Sequence, residues 1–531
     1  MSQRKAGMQA QDKTVVVIGA GLGGLATALR LAHRGLAVTV LERAAGPGGK
    51  MRTLPSDAGP VDAGPTVLTM RHVFDQLFEE VDATLADHVT LEPETILARH
   101  FWRDGSTLDL HADPEKSATA IRDFGGPRAE QEYRRFSARA KRLYEAFKAP
   151  MMEAAAPSQL ALTAHVLRDP TIIPAMAPHR SLMFSLRSQF SDPRLVQLFG
   201  RYATYVGGSP YKSPAILSLI AHAEATGVWR VKGGMHKLAR AMADLAAAKG
   251  AVFHYGTHVH RIEVQGGRTV AVIDATGTRH PATHVVFNGD PAALTQGLLG
   301  EACRRAIGDT TTNPRSLSAY VWAFASRPAG PDLAYHSVFF GADPRTEFDP
   351  LHAGQPPVDP TLYLCAEDRG GGHRPSGPER FEIIMNGPPV HPRGDSQKEP
   401  PPCQTQMLTT LSHFGLTFAP GPTPRSLTTP SDFQTLYPGS AGSLYGRSPH
   451  GMMAAFHRPT ARTALPGLIL TGGGAHPGAG IPMATLSGKH AAAAILTDPA
   501  LTSPSRQTAM PGGMSTGSAT IKAGRSPSSV S

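Results

Sequence analysis

Three features of the chain predict an α/β fold of the doubly wound, nucleotide-binding kind. A run of β-branched residues leads into a glycine-rich turn and a helix. An acidic residue closes the strand that follows, and a second strand, glycine loop and helix lie near the other end of the sequence. Buried parallel strands that alternate with helices produce this pattern.

The first element is Thr14–Ile18, a β-branched run suited to a strand buried on both faces. A glycine-rich turn fills 19–24, and Leu25–Arg34 reads as a helix that Gly35 ends. Ala37–Leu41 is the next strand, with Glu42 at its close. Together these make a βαβ unit of about thirty residues. Helical patterns follow near 71–81 and 128–148, and residues 150–230 look mainly helical. Asp192-Pro193 and Ser213-Pro214 each read as a helix cap followed by proline in the first turn. A helix at 234–248 precedes strand patterns at 251–253, 259–264, 269–274 and 284–287. Residues 300–455 mix strands with Pro-rich loops, notably 387–402. A last strand at 467–471 and a helix at 482–496 end the ordered chain, and residues 1–12 and 502–531 read as disordered tails.

Composition narrows the class. At 531 residues the chain is too long for one simple domain, and 55 Gly and 47 Pro imply many turns without wholesale disorder. The net charge of +10 comes from scattered basic residues with no zinc-finger spacing or other nucleic-acid signature, so nucleic acid is not an expected partner. Cys303, Cys365 and Cys403 are too few and too widely spaced for a disulfide framework or a CxxC metal site, which fits a reducing cytoplasm. The 23 His residues form no ligand pattern, so no metal is expected. Neither a secretory signal nor a membrane-spanning stretch is visible.

The chemistry sits in three segments. In Gly19-Ala-Gly21-Leu-Gly23-Gly24, Gly19 allows the tight turn, Gly21 lets backbone approach a pyrophosphate, and Gly24 lets helix and strand pack closely. The helix start then offers unpaired N–H groups to phosphate, and Glu42 is placed to accept from ribose hydroxyls. The second segment, Arg43 to Arg52, is a glycine hook containing Gly49, Lys50 and Met51; with the turn Asp62-Ala-Gly64-Pro65-Thr66 it suits an extended FAD better than a nicotinamide. The third, Thr471 to Ala484, runs a strand into a loop with Gly473, Gly474 and Gly480 before Ile481 and Pro482 open a helix. Its amides suit the charge of a reduced flavin. No second GxGxxG followed by an acid occurs there, so one cofactor held by both chain ends is expected.

The set Gly19–Gly24, Glu42, Gly48-Gly49-Lys50, Asp62–Thr66, Lys232–Met235, Asn288–Pro291 and Gly472–Pro482 resembles the bacterial carotenoid desaturases, FAD enzymes related to phytoene desaturase. The resemblance covers about residues 13 to 497. Within it, Tyr202–Pro210 and Tyr445–Met453 look most like the 1-hydroxycarotenoid 3,4-desaturases of purple photosynthetic bacteria. One departure is Asn288-Gly289-Asp290-Pro291, where the family often has alanine second. The resemblance implies a Rossmann-type FAD-binding domain, similar to glutathione reductase and amine oxidases, interleaved with a substrate domain of mixed sheet plus helices. It places the first at 13–90, 225–300 and 455–497 and the second at 91–224 and 301–454. It also implies FAD contacts at the glycines above and at Glu42, Arg43, Lys50, Met51, Pro65, Thr66, Val259, Ile481 and Pro482. The bond is expected to be non-covalent, because the terminal loop has no cysteine.

The expected reaction inserts the C3–C4 double bond of an acyclic 1-hydroxycarotenoid, with hydride transfer to flavin N5 and loss of a proton. A polyene cation needs only water or a weak base to lose that proton, so no catalytic triad is required. His476, Arg447 and His450 are the candidate catalytic side chains, each weighed against an ordinary loop role. Tyr202 and Tyr205 are candidates to line an apolar tunnel or simply to pack in the core. Residues 154–167 carry no Asp, Glu, Lys or Arg and read either as an interfacial segment or as a buried helix. The expected location is cytoplasmic, at the surface of the inner photosynthetic membrane, and the electron acceptor is left open. Phytoene desaturase, a carotenoid isomerase or oxygenase, an amine oxidase and a non-catalytic lipid carrier remain alternatives. The aromatic content of 6% counts mildly against the amine oxidase.

Overall fold

The computed structural model describes residues 13–308, 310, 314–390 and 402–498. The tails expected at 1–12 and 502–531 lie outside the described residues, as does most of the loop 387–402.

A parallel sheet joins the two chain ends. Its strands run in the order Leu468–Leu470, His284–Phe287, Thr14–Ile18, Ala37–Leu41 and Val252–His254, each parallel to its neighbour. In the middle strand successive side chains point to opposite faces. Val15 and Val17 face the helices Leu22–His33, His236–Ala248 and Ile481–Leu496, whereas Val16 packs with Ile262 and Val272 of a three-stranded antiparallel sheet. Each apolar side chain so buried contributes about 1.5–3 kcal/mol relative to exposure.

The first helix begins at Leu22, three residues before its apolar pattern suggests, because Gly23 and Gly24 are already helical. A Cβ on Gly24 would stand 2.2 Å from the Gly19 carbonyl oxygen, so only glycine allows the helix to start this close to the strand. The last helix crosses the first just as closely. A Cβ on Gly488 would lie 2.7 Å from the Gly23 carbonyl oxygen, and Thr27 Oγ1 donates to that oxygen at 2.7 Å.

A second sheet runs in the order Thr417–Ala419, Ser318–Ala329, Glu379–Gly387, Leu362–Ala366, His336–Phe339, Ile96–Phe101 and Thr107–His111, with Leu427–Thr428 also pairing on Ser318–Ala329. Only His336–Phe339 and Ile96–Phe101 pair in parallel. Trp322, Phe339, Phe381 and Ile383 are buried along it. Helices Leu182–Arg187 and Pro193–Gly200 close over this sheet with the long helix Pro114–Phe147, around Phe136, Phe190 and Phe199.

Two local expectations change. The long helix starts at Pro114, well before 128, capped by Asp113, which accepts from the amides of Glu115 and Lys116. The chain kinks at Gly126, whose φ of 85° lets the helix resume at Pro127, so the Gly-Gly-Pro sequence bends the helix rather than bounding it. Asp192 caps its helix as expected, accepting from Arg194 N–H at 2.8 Å. Ser213 does not cap one. Its N–H donates to Ser209 and its carbonyl accepts from Leu182, which fixes it one residue short of the cap of the 3₁₀ turn Ala215–Ser218.

Candidate active site

The loops from opposite chain ends meet. A Cβ on Gly23 would lie 2.5 Å from the Gly472 amide nitrogen, and one on Gly472 would lie 2.5 Å from Asn288 Oδ1. Asn288 ties the junction together, because its Nδ2 donates to the Gly19 carbonyl at 3.0 Å. The hook packs against the same turn, with Gly21 and Gly48 forming a parallel bridge and a Cβ on Gly49 coming within 3.1 Å of Gly21 Cα. Under it, a Cβ on Gly64 would stand 1.9 Å from the Lys50 carbonyl oxygen. These segments form a cradle in which side chains have no room.

Glu42 is nearly buried at the end of its strand. It accepts from Ala20 N–H at 2.6 Å and from Ala44 N–H at 2.7 Å, and its own carbonyl accepts from Thr257, two residues before Val259. Arg43 donates to the carbonyls of Thr435 and Leu436. Met51 is buried in the helical core. Both helix starts that face the cradle lack a side-chain cap, at Gly21 and at Gly480. Their amide groups therefore remain for a ligand.

Beside the terminal loop lies a buried charge cluster that sequence reasoning missed. Lys50 donates to the Leu444 carbonyl, Arg315 pairs with Asp290, and Arg458 donates to the carbonyls of Gly473 and Arg447, both at 3.0 Å. Burial, only partly offset by Asp290, pulls Lys50 down to about 8 and Arg458 to about 10. Three cations around one carboxylate leave a positive balance beside the glycines, which favours an anionic ligand. No sequence signal pairs Arg315 and Arg458 with a motif so far from them in the chain.

A cavity of about 240 Å³ opens between the second sheet, the helices that close over it and the start of the last helix. Pro65 and Thr66 from the turn and Gly480, Ile481 and Pro482 from the last helix all line it. Val67, Met183, Val338, Phe340, Phe348 and Ile384 make most of its wall apolar. Thr66 Oγ1 lies 2.7 Å from the Tyr363 hydroxyl and donates to Glu382 at 3.2 Å, while Tyr363 meets His336 Nδ1 at 2.6 Å. Burial, helped by Arg201, lowers His336 to about 3, so the ring is neutral. Burial pushes Glu382 well above the ordinary glutamate value, and the nearby Asp62 and Glu367 push it the same way.

Tyr205 lines this cavity, and Tyr202 is buried behind it. The three candidate catalytic side chains lie elsewhere. His476 is buried with its Nε2 2.7 Å from the Ala154 carbonyl, His450 Nε2 accepts from Ser209 N–H at 3.0 Å, and Arg447 Nη2 is 3.3 Å from His457. Among the described residues, no group of three or more His, Cys, Asp and Glu is placed to hold a metal.

The pattern of the family described as flavin containing amine oxidoreductase matches residues 22–316. The chain belongs to this family. It is a flavoprotein oxidoreductase whose cofactor is FAD, and the cradle fits that molecule, since crowding excludes a Cβ at Gly23, Gly24, Gly64 and Gly472 and two uncapped helix starts border it. Among this family member's relatives, a hydroxyneurosporene desaturase of Cereibacter sphaeroides is 56% identical over 91% of the chain and 97% of the relative. A hydroxyneurosporene desaturase of Rhodobacter capsulatus is 50% identical over 92% and 98%. The solved structure of putrescine oxidase bound to putrescine aligns with a TM-score of 0.56 at 14% identity, over 92% of this chain and 99% of that one. At that identity the last comparison shows a shared fold.

Proposed function

We propose that this flavoprotein is an FAD-dependent carotenoid desaturase that introduces the C3–C4 double bond into an acyclic 1-hydroxycarotenoid. The observation that carries the reading is a mostly apolar cavity whose wall includes both Thr66 and Gly480–Pro482 from the two cofactor-side segments. FAD would lie non-covalently along Gly19–Gly24, Glu42, the 43–52 hook and the 472–482 loop. The FAD-binding part is assigned to 13–90, 225–300 and 455–497, which hold the strands of the parallel sheet. The substrate part is assigned to 91–224 and 301–454, which hold the strands of the second sheet.

Bound FAD supplies the two-electron acceptor that the oxidation of a C–C single bond requires. The chain's own work is alignment and exclusion of water. Val338, Phe340, Phe348 and Ile384 hold one end of the polyene and keep the site dry. The proton released from the neighbouring carbon would pass to water or a weak base, and Tyr363, hydrogen-bonded to neutral His336 and to Thr66, supplies a polar group on that wall.

The polyene is delivered from a membrane surface. No helix among the described residues is long and apolar enough to cross one. The helix Gln159–Arg168, within the proposed substrate part, has no buried residue, and Leu160, Leu167 and Phe184 are 84%, 67% and 59% exposed. Arg168, Arg180 and Arg187 accompany these side chains, a combination suited to peripheral contact with an anionic leaflet on the cytoplasmic side.

Expression in cells that make neurosporene or its 1-hydroxy derivative tests the reading. A red shift of pigment absorption with the hydroxylated pigment alone is expected. A shift with phytoene selects the broader desaturase, and oxidation of an amine without any pigment change overturns both.

A further inference from the structure

We infer that Arg201, on the cavity wall, binds the terminal hydroxyl of the substrate and so selects polyene alcohols over polyene hydrocarbons, an assignment that rests on the desaturase reading above. The 3₁₀ helix Arg201–Val206 places Arg201, Thr204 and Tyr205 together on that wall. The guanidinium is nearly enclosed, with its side chain 10% exposed. Nη1 donates to the Tyr205 hydroxyl at 2.9 Å, and Nη2 stands 3.5 Å from Glu224 Oε1 and 3.5 Å from His100 Nε2. Nε is buried with no hydrogen-bond partner. A buried donor left unmade is costly, and a ligand oxygen that accepts from it recovers that cost.

The charge balance narrows which oxygen fits. Glu224 offsets Arg201, and its two carboxylate oxygens already accept from Tyr202 at 3.0 Å and Tyr205 at 2.6 Å. Burial alone would lower the Arg201 pKa, but Tyr205, Glu224 and Tyr202 outweigh it and hold the guanidinium charged. The pair is therefore neutral overall, and an ammonium or carboxylate ligand would arrive as an uncompensated buried charge. A neutral alcohol accepts the free N–H without that penalty, whereas a hydrocarbon end cannot accept it.

The position suits the chemistry too. In a 1-hydroxycarotenoid a single carbon separates the hydroxyl-bearing carbon from the C3–C4 bond, so the anchor must lie close to the reacting bond. Arg201 shares one small cavity with Thr66 and Gly480, and Tyr363, on the same wall, is bonded to Thr66.

The test uses the purified flavoprotein with 1-hydroxyneurosporene and neurosporene in lipid vesicles, reading kcat/KM for each and the change in polyene absorption on binding. Arg201→Met should lower the preference for the alcohol, read as the ratio of the two kcat/KM values, by about 10- to 100-fold. Arg201→Lys should restore part of it. Bound-flavin absorbance reports folding. If Arg201→Met loses flavin, the double variant Arg201→Met with Glu224→Met removes the orphaned carboxylate, and Tyr205→Phe, which leaves Nη1 as a second unpaired donor, should raise the preference about threefold. An unchanged preference in these variants, or an equal fall for both polyenes, overturns the assignment. Wild-type enzyme that turns over both polyenes equally well sinks the subsite and leaves the desaturase reading standing. Failure with both polyenes sinks that reading itself.

Discussion

The cofactor cradle and the substrate cavity share Thr66 and Gly480–Pro482, but most of their walls are built differently. Around Gly19–Gly24, Gly64 and Gly472 the walls are backbone, and any added Cβ meets main-chain atoms or the Asn288 side chain within 3.7 Å. Around Arg201, Tyr205, Tyr363 and Glu347 the walls are side chains whose state depends on burial. Glu347 shows this. Full burial raises its pKa, and Asn386 and Thr361 supply its hydrogen bonds. A site made of backbone tolerates no substitution at its glycines. A site made of side chains can be retuned residue by residue, which is how one cofactor fold serves many substrates.

Gly23→Val gives the largest effect expected from this contrast. Its side chain must enter the space where the Gly472 amide and Thr471 Oγ1 lie, at 2.5 and 2.7 Å from the new Cβ, and neither can move without parting the two loops. Overpacking against backbone costs about 3 kcal/mol. The purified variant should be colourless, without the flavin absorption bands. Full flavin content in Gly23→Val would show that the junction yields and that backbone crowding does not define the cradle.

The same contrast explains what was legible in the sequence. Gly19, Gly21, Gly24 and Glu42 stand at spacings that a local strand–turn–helix imposes, so a short window reveals them. The two chain ends could be joined in one sheet because each carried its own strand and glycine loop. Arg201 left no such trace, since one arginine in a mainly helical stretch reads as a solvated surface residue until its burial against Glu224 and Tyr205 is seen. Lys50 was legible as part of a hook, but its partner is the carbonyl of Leu444. The helix from Pro114 was cut short because Gly125-Gly126-Pro127 looks like an end, and only tertiary packing of Ala118 and Ile121 into the aromatic core carries the helix through the kink.

Glu367 tests the side-chain part of the comparison, at an intermediate magnitude. Burial first, then Asp62, raises its pKa above the ordinary 4.5, with Arg380 acting against them and Asp368 with them. The folded state then keeps a proton that the unfolded chain releases. Stability is therefore greatest below about 4.5 and falls as pH rises toward neutrality and beyond. The fall attributable to this group is roughly 1–3 kcal/mol. Glu367→Gln should flatten the slope in urea unfolding compared at pH 5 and pH 8. An unchanged slope would mean that the buried carboxylates near Thr66 do not share protons as described.

Lys50→Met should act more weakly, on cofactor affinity. The ammonium joins Arg315 and Arg458 in the positive balance beside the terminal loop, and one buried cation is worth about 1.4 kcal/mol, or about tenfold in flavin affinity. Because Lys50 titrates at about 8, wild-type affinity should weaken as pH passes upward through that value. Titration of apoprotein with FAD at pH 7 and pH 9 checks both. A variant that keeps the wild-type pH dependence would assign the effect to another group.

Leu160→Ser with Phe184→Ser should have the smallest effect on the folded chain and still separate its two surfaces. Both side chains are mostly exposed, so their removal should shift stability by no more than about 0.5 kcal/mol. Neither lines the cavity, so flavin content and turnover of polyene presented in detergent should match wild type. Burying an apolar side chain in a bilayer surface is worth about 1.5–3 kcal/mol. Cosedimentation with anionic vesicles should therefore fall at least tenfold for the pair, and turnover of polyene dissolved in those vesicles should fall with it. Wild-type binding by the double variant would move the membrane contact away from 159–187 and leave the cradle and the Arg201 wall untouched.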